Sequence, residues 1–255
     1  MITGHTVVKN EDQFVEYAIL SVLPYLDKLL IYDTGSKDNT VEIIRNIRSE
    51  KIYFEEKGPV TPEELVNLRE EQIAKTKTEF FMLVDGDEIW PRSNIQKFLT
   101  DLKNMPKEKV AVYCLTRNAV GDIYHYLPES AGSYRFQGKR GYFSMRGFRN
   151  VKGLTVSGIY PLETYKYQGR SLNDWGEKLN FCDTWYLHLT HLCRSSSPQR
   201  VAGFRLQKLE KGLIMKGDEI PEVFQNNLPP RRSPLYELGA SIITPLKCLR
   251  RSLRL

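Results

Sequence analysis

Phe80-Phe81-Met82-Leu83-Val84-Asp85-Gly86-Asp87-Glu88 passes from a continuous apolar run directly into three carboxylates. Such a run is what a strand buried on both faces of a parallel sheet requires. The acidic residues then fall just past its C-terminal end, where open α/β sheets bind ligands in the crevice beyond their strands. Two carboxylates at i and i+2 can chelate a hard divalent cation, and Gly86 between them lets the backbone bend and a ligand approach. An Asp-x-Asp alone is also a common solvated turn. The buried strand before it and Glu88-Ile89-Trp90-Pro91 after it favour a site.

Working outward, the N-terminal third alternates short apolar runs with helical patterns, the signature of βαβ units and a largely parallel sheet. His5 to Val8 reads as a first strand. Asn10 with Gln13 three residues later reads as a helix start, before Phe14, Val15, Ala18, Ile19, Val22 and Leu23 at helical spacing. Lys28 to Tyr32 is a second strand, followed by the turn Asp33-Thr34-Gly35-Ser36. A helix from about Asn39 carries Val41, Ile44 and Ile47, and Ile52 to Phe54 is a third strand. Thr61-Pro62-Glu63-Glu64 combines a capping Thr, Pro in the first turn and Glu at the third position, so a helix is expected from there to about Lys75. From Val110 the texture changes to β-prone pieces, Val110 to Leu115 and Tyr142 to Phe148, around the Tyr- and Gly-rich stretch Asp122 to Tyr142. A helix is expected around Val201, Phe204, Leu206 and Leu209. Leu228 to Pro234 reads as a linker, and Thr244-Pro245 as the start of a short helix in which Leu246, Leu249 and Leu253 alternate with Lys247, Arg250, Arg251 and Arg254.

The chain has 255 residues and 41% hydrophobic content, enough for a real core. Its 37 Lys and Arg against 31 Asp and Glu leave only +6, and nearly all of that excess lies between Arg231 and Leu255. The near-neutral body argues against a nucleic-acid partner, which calls for a basic docking face, while the basic end suits an anionic membrane surface. The cysteines Cys114, Cys182, Cys193 and Cys248 form no CxxC pair, so a reducing compartment is expected. No secretory leader and no run of about 18 apolar residues stands in the sequence. The expectation is a cytoplasmic protein, or one seated peripherally at the inner face of the membrane.

Three segments taken together, Thr6-Val7-Val8-Lys9-Asn10-Glu11, Ile31-Tyr32-Asp33-Thr34-Gly35-Ser36-Lys37-Asp38-Asn39-Thr40 and Val84-Asp85-Gly86-Asp87-Glu88, resemble family 2 glycosyltransferases of the GT-A fold in order, spacing and residue type. The resemblance covers about the first hundred residues. It implies an α/β, Rossmann-like, mostly parallel sheet flanked by helices, over residues 1–225. Within it, 1–105 would be the nucleotide-binding half and 106–225 the acceptor half, with 226–255 a linker and basic amphipathic tail. It implies an NDP-sugar donor and Mn²⁺ or Mg²⁺ held by Asp85 and Asp87. Val8 and Asp33 would contact the nucleotide base; an Asp at this position also caps its own turn. Arg69 stands where the family often has an Arg that meets the donor, and guanidinium suits a diphosphate; the family usually reads Arg-Asn there, and this chain has Arg69-Glu70. His188 or His191 would complete the metal shell, a role for which neutral imidazole is suited. A zinc site from Cys182, His188, His191 and Cys193 matches no common spacing.

An inverting transferase needs a carboxylate to take the acceptor hydroxyl's proton. Glu163, after the Arg146-Gly147-Phe148-Arg149 segment, resembles the base of relatives, with Asp174 and Asp183 as alternatives. The expected reaction is metal-dependent transfer, with inversion, to a hydroxyl of a glycan or lipid-linked acceptor in cell-surface polysaccharide or glycolipid synthesis. Two rival readings use the same residues: an inactive sugar-nucleotide-binding or scaffold domain, and a phosphohydrolase of the haloacid dehalogenase type with Asp85 as nucleophile.

Overall fold

Four strands laid parallel set the frame: β1 (Ile2–Val8), β2 (Lys28–Asp33), β3 (Ile52–Glu56) and β4 (Phe80–Leu83), in the spatial order β3-β2-β1-β4. The computed structural model describes residues 1–192, 209–225 and 227–253. Crossovers between these strands run through α1 (Val15–Val22), α2 (Thr40–Asn46) and α3 (Leu65–Lys75). All four residues of β4 are buried, with Phe81 stacked on Phe148 and on His5 at ring-centroid distances of 5.0 and 4.4 Å. The expected α/β architecture and the placement of the acidic segment past β4 both hold.

Beyond β4 come β5 (Glu88–Ile89), α4 (Arg92–Lys103), β6 (Ala111–Val120), β7 (Asp122–Tyr126) and the hairpin β8 (Tyr134–Phe136) with β9 (Lys139–Gly141). β10 (Phe143–Arg149) then inserts antiparallel between β4 and β6, joining the two halves into one ten-stranded sheet. β11 (Leu154–Ser157), β12 (Thr164–Tyr167) and β13 (Arg170–Ser171) form a small separate sheet beside α3. β14 (Leu179–His188) runs parallel to β6 and pairs antiparallel with β5, so that His188 stands opposite Glu88. β15 (Leu213–Ile214) closes the far edge against β7.

Local signals decide several starts. Thr61 and Glu64 make the reciprocal capping pair before α3: Glu64 N donates to Thr61 Oγ1 at 3.2 Å, and Thr61 N to Glu64 Oε2 at 2.8 Å. Asn10 behaves otherwise than its sequence context suggests. It lies in the left-handed region at φ 55°, donates its backbone N–H to Ser36 Oγ and accepts from Lys37 N through Oδ1. It therefore ties the first-strand turn to the Asp33 turn, and α1 begins only at Val15. Glu70 accepts a hydrogen bond from Val156 N, which gives the departure from Arg-Asn a structural role in linking α3 to β11.

The C-terminal segment also differs from expectation. Residues 228–233 form no regular element, as expected of a linker, but the helix beyond them starts ten residues before Thr244: α5 (Pro234–Ser252) is a single 19-residue helix. Ser233 caps it, accepting from Tyr236 N at 3.2 Å, and Pro234 sits in its first turn, a favourable start. Pro245 gives up one helical hydrogen bond, yet ties on either side hold the helix: Lys211 N donates to Thr244 Oγ1 and Lys247 Nζ to Leu209 O. The preceding Arg232 is anchored by donating its backbone N–H to Asp122 Oδ2 at 3.0 Å. The helix expected around Val201, Phe204 and Leu206, like Cys193 and Arg254, lies outside the described residues.

Candidate functional site

The C-terminal ends of β1 and β4 open into a cleft of about 1160 Å³, roofed by the segment leading into β12 and floored by β10 and the end of β14. Val8, Arg69, Asp85, Asp87, Glu163 and His188 all line it. The structure thus gathers six of the sequence-predicted residues from five different segments. Gly86 leaves little room for a side chain: a Cβ there would lie 3.1 Å from the Glu11 side chain and 3.2 Å from that of Val8, so both would have to give.

Asp85 sits between two buried guanidinium groups. Arg69 Nη2 donates to Oδ1 at 3.1 Å and Arg146 Nη2 to Oδ2 at 3.2 Å. Burial works to raise the Asp85 pKa, but Arg146 and Arg69 outweigh it and hold the carboxyl below its usual range. Arg69 lies on the inner face of α3, 5% exposed, and its Nη1 has no hydrogen-bond partner among the described residues. A buried guanidinium nitrogen left unsatisfied at the wall of a cleft is a ready donor for an anionic ligand.

Asp87 faces His188, with Oδ2 at 3.3 Å from Nε2, and His188 Nδ1 meets Asn118 Oδ1 at 3.2 Å. Burial lowers the His188 pKa, but Asp87 overcomes this by charge and hydrogen bonding, and the net shift is upward. Among the described residues, no three His, Cys, Asp or Glu side chains form a ready metal cage. Two carboxylates and an imidazole in one cleft still fit a hard cation of the Mg²⁺ or Mn²⁺ kind, which takes one or two carboxylates and completes its shell with substrate phosphates. Cys182 lies six residues from His188 on β14, about 20 Å at the strand rise, and is packed in the core, so the zinc alternative fails on distance.

Four predicted residues lie elsewhere. Asp33 is 2% exposed and turns into its own loop: Oδ1 accepts from Gly35 N and Ser36 N, both at 2.9 Å, and Ser36 Oγ donates to Oδ2. It does not line the cleft, although its neighbour Thr34 does. Gly35 is required there, at φ 84° with a Cβ position 3.0 Å from Pro59 N. Asp174 is exposed in a side groove beside the cleft. Asp183 and His191 are exposed and line neither.

Residues 5–158 match the sequence profile of glycosyl transferase family 2. The chain belongs to that family. Membership of that family sets the phosphohydrolase reading aside. The match ends before Glu163 and His188. No curated protein matches the chain. Among solved structures, it is similar to glucosyl-3-phosphoglycerate synthase from Mycobacterium tuberculosis in complex with phosphoglyceric acid. The two are 16% identical over 74% of this chain and 71% of that one, with a TM-score of 0.51. The same synthase in complex with Mn²⁺ and UDP-glucose aligns at 20% identity over 46% of this chain, with a TM-score of 0.38. That alignment spans 44% of the synthase chain. At 16% identity the first of these likenesses speaks for the fold alone, which is the one this family 2 chain was expected to adopt.

Two residues of the cleft wall, Arg146 and Tyr165, and one buried behind it, Glu88, escaped the sequence reading of individual roles. Arg146 is the residue that a shift in register between Met145 and Gly147 adds to β10 relative to β6, and such bulges re-aim a side chain. It donates from Nη2 to Glu88 as well as to Asp85, and from Nε to Tyr186 Oη at 3.2 Å. Tyr165 lies against Phe148, lines the cleft, and has its pKa pushed up to about 12 by burial, so its phenol stays a donor. Glu88 is fully buried beneath the acidic turn.

Burial, with Asp85 and Asp87 nearby, outweighs Arg146 and pushes the Glu88 pKa up from 4.5 to about 7. The folded protein holds this proton to a higher pH than the unfolded chain does. Its stabilising contribution is therefore complete below about pH 4.5 and fades as pH rises to about 7. The span corresponds to roughly 3 kcal/mol. Metal-free protein should melt lower at pH 7.5 than at pH 5 by several degrees (~2–4 °C per kcal/mol). Glu88→Gln should flatten that dependence. Parallel melting curves for the two proteins would show the account to be wrong.

Proposed function

We propose that this chain transfers a sugar from a nucleoside-diphosphate donor to an acceptor hydroxyl with inversion, using Mn²⁺ or Mg²⁺. The observation that carries the reading is the convergence in one cleft of Asp85, Asp87, His188 and the open Nη1 of Arg69 with Glu163, which has a buried, unpartnered Oε2. Asp85, Asp87 and His188 would hold the cation, which offsets charge on the diphosphate. Arg69 would present its free Nη1 to a diphosphate oxygen while its other arm stays on Asp85. Glu163 would accept the acceptor hydroxyl's proton at its carboxylate as that oxygen attacks the anomeric carbon from the face opposite the leaving group. Val8 would pack against the base. Asp33 would act at one remove, shaping the turn that presents Thr34 to the cleft.

The acceptor we propose is a hydroxyl of a glycan or of a lipid-linked intermediate in polysaccharide or glycolipid synthesis. A lipid-linked acceptor and a basic, apolar C-terminal helix fit together, since both would be met at an anionic bilayer, with the protein peripheral at its cytoplasmic face. A panel of UDP-, GDP- and dTDP-sugars, assayed for donor hydrolysis and transfer, tests the reading. One donor class should turn over, chelation by EDTA should stop it, and Mn²⁺ or Mg²⁺ should restore it. Nucleotide affinity by calorimetry without product from any donor would mark the chain as a binder, and undiminished turnover in EDTA would remove the metal from the proposal.

A further inference from the structure

α5 is amphipathic in the inverted sense: it turns its polar side to the protein and its apolar side to solvent. On the inner side, the buried carboxylate of Glu210 accepts from Arg251 Nη1 and Nη2 at 3.2 and 3.0 Å and from Lys247 Nζ at 3.4 Å. Ala240 is buried on the same side. On the outer side, Leu235, Leu238, Ile242, Leu246, Leu249 and Leu253 are 59% to 79% exposed. Ordinary soluble helices do the reverse.

The spacing of these six residues identifies the kind of surface they fit. They recur at 3, 4, 4, 3 and 4 residues, so they stay within an arc of about 80° and run straight along a helix about 28 Å long. A helical partner in a coiled coil calls for a 3.5-residue repeat. Continuing the a and d positions from Leu235 and Leu238 places Pro245 and Ser252 at the seam. A straight stripe suits a plane. Charge points the same way. Glu237, the only acid between Arg231 and Leu255, is bound by Arg232, while Arg250 is exposed on the flank of the stripe and Arg231 is exposed just before the helix. The surface is therefore apolar with a cationic border, which complements an anionic bilayer. No described helix is long and apolar enough to cross a membrane, so α5 would lie on one.

We propose that α5 is a preformed docking face for an anionic lipid bilayer, lying in the interface plane with its leucine stripe inserted and clamped to the domain through Glu210. The proposal is independent of the transferase reading. The test is co-sedimentation of the full chain with vesicles of phosphatidylcholine, alone or mixed with phosphatidylglycerol. The chain should bind the mixed vesicles in preference, and less so as salt rises. The triple variant Leu238→Ser, Ile242→Ser, Leu246→Ser should lower the bound fraction at least about tenfold, its melting temperature being that of the parent because all three side chains face solvent. Arg250→Glu, at a site that no packing depends on, should weaken binding to the mixed vesicles alone. The proposal falls if the parent chain stays in the supernatant, or if the triple variant binds as the parent does. It falls also if light scattering finds a dimer that the triple variant dissolves while neither protein binds vesicles, which would assign the face to a second copy.

Discussion

Replacing Asp85 by Ala should abolish measurable transfer, a loss of at least about 10³-fold, because removing one preorganised electrostatic element at a developing charge costs roughly 10² to 10³ and here the proposed cation loses a ligand as well. The same change should cost stability. Asp85 is the carboxylate on which Arg69 rests, and it shares Arg146 with Glu88. Removing one partner of a buried ion pair costs about 3–5 kcal/mol, or a fall in melting temperature of roughly 10 °C for a domain of this size. Asp87→Ala separates the two effects. Its partner His188 can shed its proton and become neutral, so Asp87→Ala should lose comparable activity with a much smaller fall in melting temperature. Full metal-dependent activity in both variants would refute the assignment of the Asp85-Gly86-Asp87 turn.

Glu163→Gln should lower kcat for transfer by about 10² to 10⁴, the range a positioned general base supplies, while the donor KM stays within about threefold. The isosteric amide keeps the shape of the cleft wall and removes only the ability to take a proton. Glu163 stands at the start of β12, close enough to Arg69 and Tyr165 to act on both electrostatically. Asp174→Asn and Asp183→Asn serve as controls and should keep kcat within about twofold, since neither side chain lines the cleft. A Glu163→Gln enzyme retaining more than about a tenth of the parent rate would move the base elsewhere.

The parallel half of the molecule was legible because its information is local. The apolar run Phe80 to Val84 specifies a doubly buried strand, Thr61 to Glu64 specifies a helix start, and the two together set Arg69 and Asp85 facing each other across a βαβ crossover. The Asp33 turn was legible as a turn, and its carboxylate proves to be spent on that turn's own N–H groups. Where local signals competed, they misled. Asn10 looks like a helix cap, yet its side chain accepts from a residue 27 positions away, and Pro245 looks like a helix start, yet it lies inside α5.

The sequence by itself determined the fold of the first hundred residues, the family, and the acidic turn at the end of β4, because strand burial, helical period and capping are written within a few residues of one another. Only the tertiary structure decided that Glu163 and not Asp174 or Asp183 shares the cleft, and that β5–β14 pairing brings His188 beside Asp87. It alone showed that a bulge in β10 sends Arg146 to Asp85 and Glu88, and that α5 presents leucines to solvent. Each of these depends on the register of strands or the docking of elements tens of residues apart. A one-residue slip there would turn every side chain to the other face, and no local spacing encodes it.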